Sequence, residues 1–276
     1  MITIGDAVRA WRLAPRVSAG RLESRSGAGV YPVTMVDGSP AFVKISRTSD
    51  RELRFYRSLA PAAPVRTPRL LDHLDAGGDG VALLLEDAGP TRPVDRWTPA
   101  MWAALERDLA ALHAMPPPSG PGWETPGPLA FLDFKAVRAF WAPALPRLDD
   151  IFAAIGRLRA DLAGPPLAFV HGDCHTENIT VDGDALVFCD WQMAGIGRPS
   201  ADYALLNVRA TPAGVTVPIN LDRATTLGRA VLAEELAILV FQWPQYAAYN
   251  TPAGNDHIRA RAAALADEWL GARSAW

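Results

Sequence analysis

His171-Gly172-Asp173-Cys174-His175-Thr176-Glu177-Asn178 reads H-x-D-x-x-x-x-N, and Asp190 closes an apolar run twelve residues after Asn178. Leu167-Ala168-Phe169-Val170, just before it, predicts a short strand that delivers this loop. Ile179-Thr180-Val181 and Ala185-Leu186-Val187-Phe188-Cys189 are β-prone runs around Asp182-Gly183-Asp184, whose turn chemistry predicts a hairpin. A hairpin there brings its outer ends together, so Asn178 and Asp190 are expected side by side. Two oxygen donors so placed suit magnesium, a hard ion that takes a few such ligands and keeps the rest as water or phosphate.

Upstream, three further stretches carry candidate chemistry. Pro40-Ala41-Phe42-Val43-Lys44-Ile45 predicts a strand, and Lys44 and Lys135 are the only lysines among 27 basic residues. Arginine richness is most simply compositional, and a lysine kept against it suits a compact ammonium rather than a planar fork. Asp50-Arg51-Glu52-Leu53-Arg54-Phe55-Tyr56-Arg57-Ser58-Leu59 has helical apolar spacing, with Ser49 or Asp50 as N-cap. Taken alone, Glu52 there reads as a solvated helix charge. Val81 to Leu85 predicts a strand running into Glu86-Asp87-Ala88-Gly89, and Ser26-Gly27-Ala28-Gly29-Val30-Tyr31 is a short glycine-bearing turn.

In this order the stretches resemble the aminoglycoside phosphotransferase and choline kinase group of small-molecule kinases, relatives of the protein kinases. The H-x-D-x-x-x-x-N spacing is that of a kinase catalytic loop. The resemblance implies an α+β, protein-kinase-like fold of two lobes: a small, mainly antiparallel β lobe with one helix over 1–88, and a larger, mostly helical lobe over 89–276. It implies ATP and Mg2+ as cofactors. Asp173 would orient the acceptor hydroxyl and take its proton, while Asn178 and Asp190 would hold magnesium. Lys44, paired with Glu52, would bind the α/β-phosphates. Glu86 and Ala88 would offer backbone groups to adenine. Ser26, Gly27 and Gly29 would form the phosphate loop, though the third glycine of G-x-G-x-x-G is missing and Pro32 follows. His171 would support the catalytic loop, and Asp202 would brace it as a buried carboxylate or stand as an ordinary helix N-terminal acid.

Other readings stay in view. His171, Asp173 and His175 alternate, and a strand would put all three on one face as metal ligands. Cys174 and Cys189 do not make a disulfide framework in a chain of this length and read as small buried thiols. A chain of 276 residues, 49% hydrophobic, can bury a large core, and its net charge of −3 argues against a general nucleic-acid binder. No apolar stretch is long enough for a secretory signal or a membrane span, so a cytoplasmic enzyme is expected. Trp141, Trp243 and Trp269 read as core or as substrate lining.

The expected partner is a small hydroxylated acceptor. By resemblance it is a cationic antibiotic, an aminoglycoside or a basic peptide, with Glu234, Glu235, Asp256, Asp267 and Glu268 as candidate recognition acids. Against this, seven acids face six arginines from residue 200 onward, which gives no net acidic field. A metabolic alcohol such as choline, homoserine or a sugar is the alternative. A nucleotide-binding pseudokinase is a third, against which the full set of Lys44, Asp173, Asn178 and Asp190 argues.

Overall fold

Thr3 opens the first ordered segment as an N-cap: its hydroxyl accepts from the Asp6 N–H while Asp6 accepts from the Thr3 N–H. This reciprocal cap starts helix α1 (Ile4–Trp11), a second helix beside the one the sequence led us to expect in this part. The computed structural model describes residues 2–15, 29–46, 50–130, 132–142 and 144–271. Ser26, Gly27 and Ser49 lie outside them. By internal packing the chain forms two units, Met1–Pro90 with Thr180–Ala194, and Thr91–Ile179 with Gly195–Trp276.

In the first unit, strands β1 (Ala14–Pro15), β2 (Gly29–Thr34) and β3 (Pro40–Ser46) precede helix α2 (Arg51–Ser58); β4 (Leu70–Asp75) and β5 (Val81–Glu86) complete an antiparallel sheet of order β1-β2-β3-β5-β4. Gly29, expected in the phosphate loop, is the first residue of β2 and pairs with Ile45. Side chains alternate across a strand. Ala41, Val43 and Ile45 of β3 join Ala82 and Leu84 of β5 in a core with Ala7 of α1. Lys44 therefore falls on the opposite face. Helix α2 buries Glu52, Leu53, Phe55 and Tyr56 along one side, the i, i+1, i+3, i+4 stripe of an amphipathic helix.

The second unit holds helices α3 (Pro99–His113), α4 (Phe134–Trp141), α5 (Leu148–Ala153) and α6 (Ile155–Ala163), then strand β6 (Ala168–Val170) before the H-x-D loop. The chain next supplies the first unit with a hairpin, β7 (Ile179–Asp182) and β8 (Ala185–Phe188), around the Gly183-Asp184 turn. The sequence placed everything beyond residue 88 in the second lobe. Hydrogen bonds explain the difference: Val181 N–H donates to Pro90 O and Phe188 N–H to Arg66 O, and Arg66 pairs with Asp182. Strand β9 (Gly195–Gly197) pairs antiparallel with β6, and helices α7 (Pro199–Ala210), α8 (Thr226–Ala237) and α9 (Pro252–Gly271) follow.

Helix α8 is buried along nearly all of its length, as the centre of a helical core. Thr225 caps it by accepting from Gly228 N–H. It then widens into a π-turn, Ile238–Gln242, whose Val240 carbonyl accepts from the Trp141 indole at 2.8 Å. Trp243 donates to Asn255, and Trp269 donates to Asp161 under the Arg157 guanidinium. All three tryptophans are thus core. Among the described residues, no helix is long and apolar enough to cross a membrane.

Candidate active site

In the first unit two of the expected site residues, Glu52 and Asp190, meet at Lys44. Its ammonium lies 2.6 Å from Glu52 Oε2 and 2.8 Å from Asp190 Oδ1, and its side chain is 6% exposed against 3% for Glu52. Alternation along β3 puts Lys44 on its face, the buried stripe of α2 brings Glu52, and β8 delivers Asp190. Burial alone would push the Lys44 ammonium down; the two carboxylates reverse this and hold it protonated well above the ordinary lysine range. Burial raises Glu52, Lys44 lowers it, and Asp190 raises it again, leaving it above the ordinary glutamate value. Glu52 is fixed at its other oxygen by the Trp191 N–H at 3.1 Å, and the Trp191 indole stacks on Phe55 of α2 at 4.0 Å. Asp190 itself sits at φ 63°, ψ 64°, a left-handed conformation that aspartate tolerates better than most residues.

The expected adenine-binding segment follows β5. Glu86 is paired with Arg66 and Arg69. The Ala88 carbonyl accepts from the Thr180 hydroxyl at 2.7 Å, so what Ala88 offers a base is its N–H. Gly89 has φ +88°, and a Cβ there would stand 2.5 Å from the Val181 carbonyl oxygen. Only glycine meets both demands.

In the second unit the H-x-D loop is built around one buried carboxylate. Asp202, fully buried in the first turn of α7, accepts from the His171 N–H at 3.0 Å and the Gly172 N–H at 2.9 Å. Its Oδ2 also meets His113 Nε2 at 3.0 Å. Gly172 takes φ +80°, which turns the chain into Asp173. Asp202 thus braces the loop. The Asp173 N–H donates to His171 Nδ1 at 3.3 Å. Asn178 donates from its amide nitrogen to the Asp173 carbonyl at 2.9 Å and to its carboxylate at 3.2 Å, so the amide oxygen is the atom that can serve a metal. His175 Nε2 approaches Asp173 at 3.7 Å, an ion-pair contact too long for a full hydrogen bond. Burial opposes the Asp173 charge; His175 foremost, then His171 and Arg209, outweigh it and hold the carboxyl down at about 2. Arg209 in turn pairs with Glu177 of the loop.

His171 accepts from the Asp173 N–H, and His175 faces the carboxylates of Asp173 and Glu177. Burial pushes both thiols up, Cys189 to about 11, which leaves neither a ready nucleophile. Sequence reasoning missed three contributors: His113, 89 residues before Asp202; Trp191, whose backbone holds Glu52; and Arg209 behind Asp173. His113 and Arg209 each stand in the last turn of a helix, where a basic residue is favoured and carries no sign of its distant partner.

A profile of the "Phosphotransferase enzyme family" matches residues 21–249. Among solved structures, the chain is similar to a thermostable mutant of aminoglycoside phosphotransferase APH(4)-Ia, at 18% identity over 93% of this chain and 95% of that one, TM-score 0.56. It is similar to amicoumacin kinase hAmiN, solved with AMP-PNP, Ca2+ and Ami, at 14% identity over 99% and 94%, TM-score 0.61. A choline/ethanolamine kinase family protein from Mesorhizobium loti is similar at 21% identity over 91% and 89%, TM-score 0.58. No curated protein sequence matches. At these identities the structural likeness establishes a protein-kinase-like α+β fold. With the profile spanning most of the sequence, the chain belongs to the phosphotransferase enzyme family.

Proposed function

We propose that the chain transfers the γ-phosphoryl group of ATP to a hydroxyl of a small molecule. The observation that carries this is the Lys44 cluster: three residues spread over 146 positions of sequence meet at one buried ammonium. The structural relatives support it, since one was solved with AMP-PNP and Ca2+ and another with ADP and hygromycin B.

Lys44 would neutralise the α/β-phosphates, held in place by Glu52. Asn178, through its amide oxygen, and Asp190, through its carboxylate, would each offer magnesium a hard oxygen donor. When bound, the ion supplies charge neutralisation at the phosphates. Asp173 would accept a hydrogen bond from the acceptor hydroxyl and so aim its oxygen at phosphorus. A carboxylate held near 2 is a weak base, so it receives the proton late, once the O–P bond has begun to form and the hydroxyl has become acidic. Asp202, His171 and Asn178 keep Asp173 aligned. Most of the rate enhancement comes from this positioning.

The five acids weighed for a cationic antibiotic are all engaged. Buried Glu234 takes Arg198 in a fork, and buried Glu235 takes Arg261. Asp256 pairs with Arg259, Asp267 with Arg147, and Glu268 with Arg223. This favours an acceptor other than a polycation, a kinase of a metabolic alcohol before an antibiotic-resistance enzyme. The test is ADP release from Mg-ATP across aminoglycosides, basic peptide antibiotics, choline, homoserine and sugars. We expect one class of alcohol to stimulate release, and Asp173→Asn to lower turnover by about 10²–10⁴-fold with ATP binding retained. Wild-type turnover in that variant would remove the proposal, and ATP binding without turnover on any acceptor would favour a pseudokinase.

A further inference from the structure

A cavity of about 510 Å³ lies within the second unit, bounded by the C-terminal end of α7, the segment from Thr211 to Arg223, and α9. Among the described residues, no carboxylate lines it. Its polar wall is Asn207, Thr211, Asn220, Arg223, His257 and Arg261, and the rest is glycine, alanine, valine, isoleucine, threonine and proline.

The two guanidinium groups are fixed from behind. Glu235, fully buried in α8, accepts from Arg261 Nε at 2.6 Å and Nη2 at 3.0 Å, and from Asn207 Nδ2 at 3.0 Å. One buried acid thereby pins a cavity residue of α9 and a cavity residue of α7. The Arg261 side chain stays 35% exposed and keeps donors beyond the two spent on Glu235. Arg223 is held by Glu268 and by the Gly228 carbonyl, and likewise retains N–H groups. His257 Nδ1 lies 3.2 Å from the Pro212 carbonyl, an acceptor only, so this nitrogen carries the proton and the ring is oriented. Pinned donors lose little rotamer entropy on meeting a ligand, which is the condition for tight recognition of an anion.

We propose that this cavity binds the anionic group, carboxylate or phosphate, of a small ligand. The anion has two possible sources. It belongs to the acceptor itself, or to a separate ligand that binds beside the reaction site. The cavity shares helix α7 with Arg209, which pairs with Glu177 of the H-x-D loop. An acceptor lodged here would be an alcohol bearing an acid group; that version rests on the phosphotransferase reading, whereas anion binding does not.

The test begins with calorimetric titration of the full chain with citrate, and separately with inorganic phosphate, in the presence of saturating Mg-ADP so that the nucleotide site does not compete. Choline serves as the cationic control. Two exposed cavity positions are varied. Arg223→Gln removes a donor, and Ala260→Glu adds a carboxylate to the wall at a helix position that accepts glutamate. We expect saturable binding of citrate or phosphate, weakened about tenfold or more by each substitution, and none of choline. Absence of saturable anion binding, binding indifferent to both substitutions, or choline binding in place of the anions would each overturn the proposal.

Steady-state kinetics with alcohols carrying and lacking an acid group then separate the sources. A KM for the acidic alcohol raised about tenfold by Ala260→Glu, with kcat little changed, assigns the anion to the acceptor. Loss of citrate binding with every acceptor KM unchanged assigns it to a separate ligand. Anion binding with no phosphotransfer to any alcohol would sink the phosphotransferase reading and leave the site standing.

Discussion

Replacing Lys44 by methionine tests the buried cluster directly. The substitution keeps much of the side-chain volume and removes the ammonium that faces Glu52 and Asp190. Glu52, 3% exposed, then has the Trp191 N–H at one oxygen and no cation at the other. Such a carboxylate takes up a proton rather than stay charged. For a group of ordinary value 4.5, forcing that protonation at pH 8 costs about 1.4 kcal/mol per pH unit, roughly 5 kcal/mol in all. Removing one partner of a buried pair costs about 3–5 kcal/mol by mutational experience, so the two estimates agree.

At this chain length the loss corresponds to a drop in Tm of at least about 6 °C. The sign of the pH dependence follows. In Lys44→Met the folded-state pKa of Glu52 stands above its unfolded value. Stability is then fully present below pH 4.5 and is lost as pH rises toward the folded value. The deficit should therefore be large at pH 8 and shrink by roughly 3 kcal/mol at pH 5.5. The double variant Lys44→Met/Glu52→Gln, which has no carboxylate to neutralise at position 52, should recover most of the loss at pH 8. Urea and thermal melts followed by circular dichroism at both pH values measure all three. A Lys44→Met protein as stable as wild type at pH 8, or one with the same deficit at both pH values, would refute the reasoning.

Four other outcomes are expected. Gly89→Ala meets a left-handed backbone and the Val181 carbonyl, and should lose roughly 2–4 kcal/mol in urea denaturation; a loss under about 0.5 kcal/mol would mean the turn relaxes freely. Asp202→Asn cannot serve both backbone donors and His113 as a charged acceptor, and should lower kcat by about 10–100-fold with the KM for ATP little changed; an unchanged kcat would show that the loop holds itself. With Asp173 held at about 2, the profile of kcat/KM should show no acid limb from it above about pH 4, and His175→Ala should move that limb upward. For the same reason Asp173 contributes stability that is present above its ordinary value of 3.8 and lost as pH falls through about 2, and acid melts of wild type against Asp173→Asn would read it.

What was legible in the sequence was local chemistry with a fixed period. Alternation in Pro40–Ser46 placed Lys44, the stripe in α2 placed Glu52, and the Gly183-Asp184 turn with flanking β-prone runs placed the hairpin. The first helix was legible too, in the Thr3–Asp6 cap, but eight residues make a weak periodic signal. Partnerships between distant side chains left no trace. His113 reaches Asp202 across 89 positions and Arg261 reaches Glu235 across 26, and nothing in either residue's neighbours distinguishes it from a solvated charge. Glu234 and Glu235 show the consequence. On the page they were exposed acids free to draw a cation, whereas burial had already committed both to arginines, as it must for carboxylates taken out of water.

The two units also divide the electrostatic work in opposite ways. Around Lys44, one ammonium faces two carboxylates, an excess of one negative charge in surroundings largely withdrawn from water. Such an excess is costly unless a cation completes it, and a divalent ion held by oxygen donors is the simplest completion. Around Asp173 the imidazoles of His171 and His175 and the guanidinium of Arg209, which also pairs with Glu177, keep the carboxylate ionised at any physiological pH. A site built only for stability would pair each acid with one base, as Glu234 and Arg198 are paired. On the proposed reading, the first cluster offers a carboxylate to a divalent cation and the second holds an acceptor for a hydroxyl proton. Those are the two requirements of phosphoryl transfer that the protein itself has to meet.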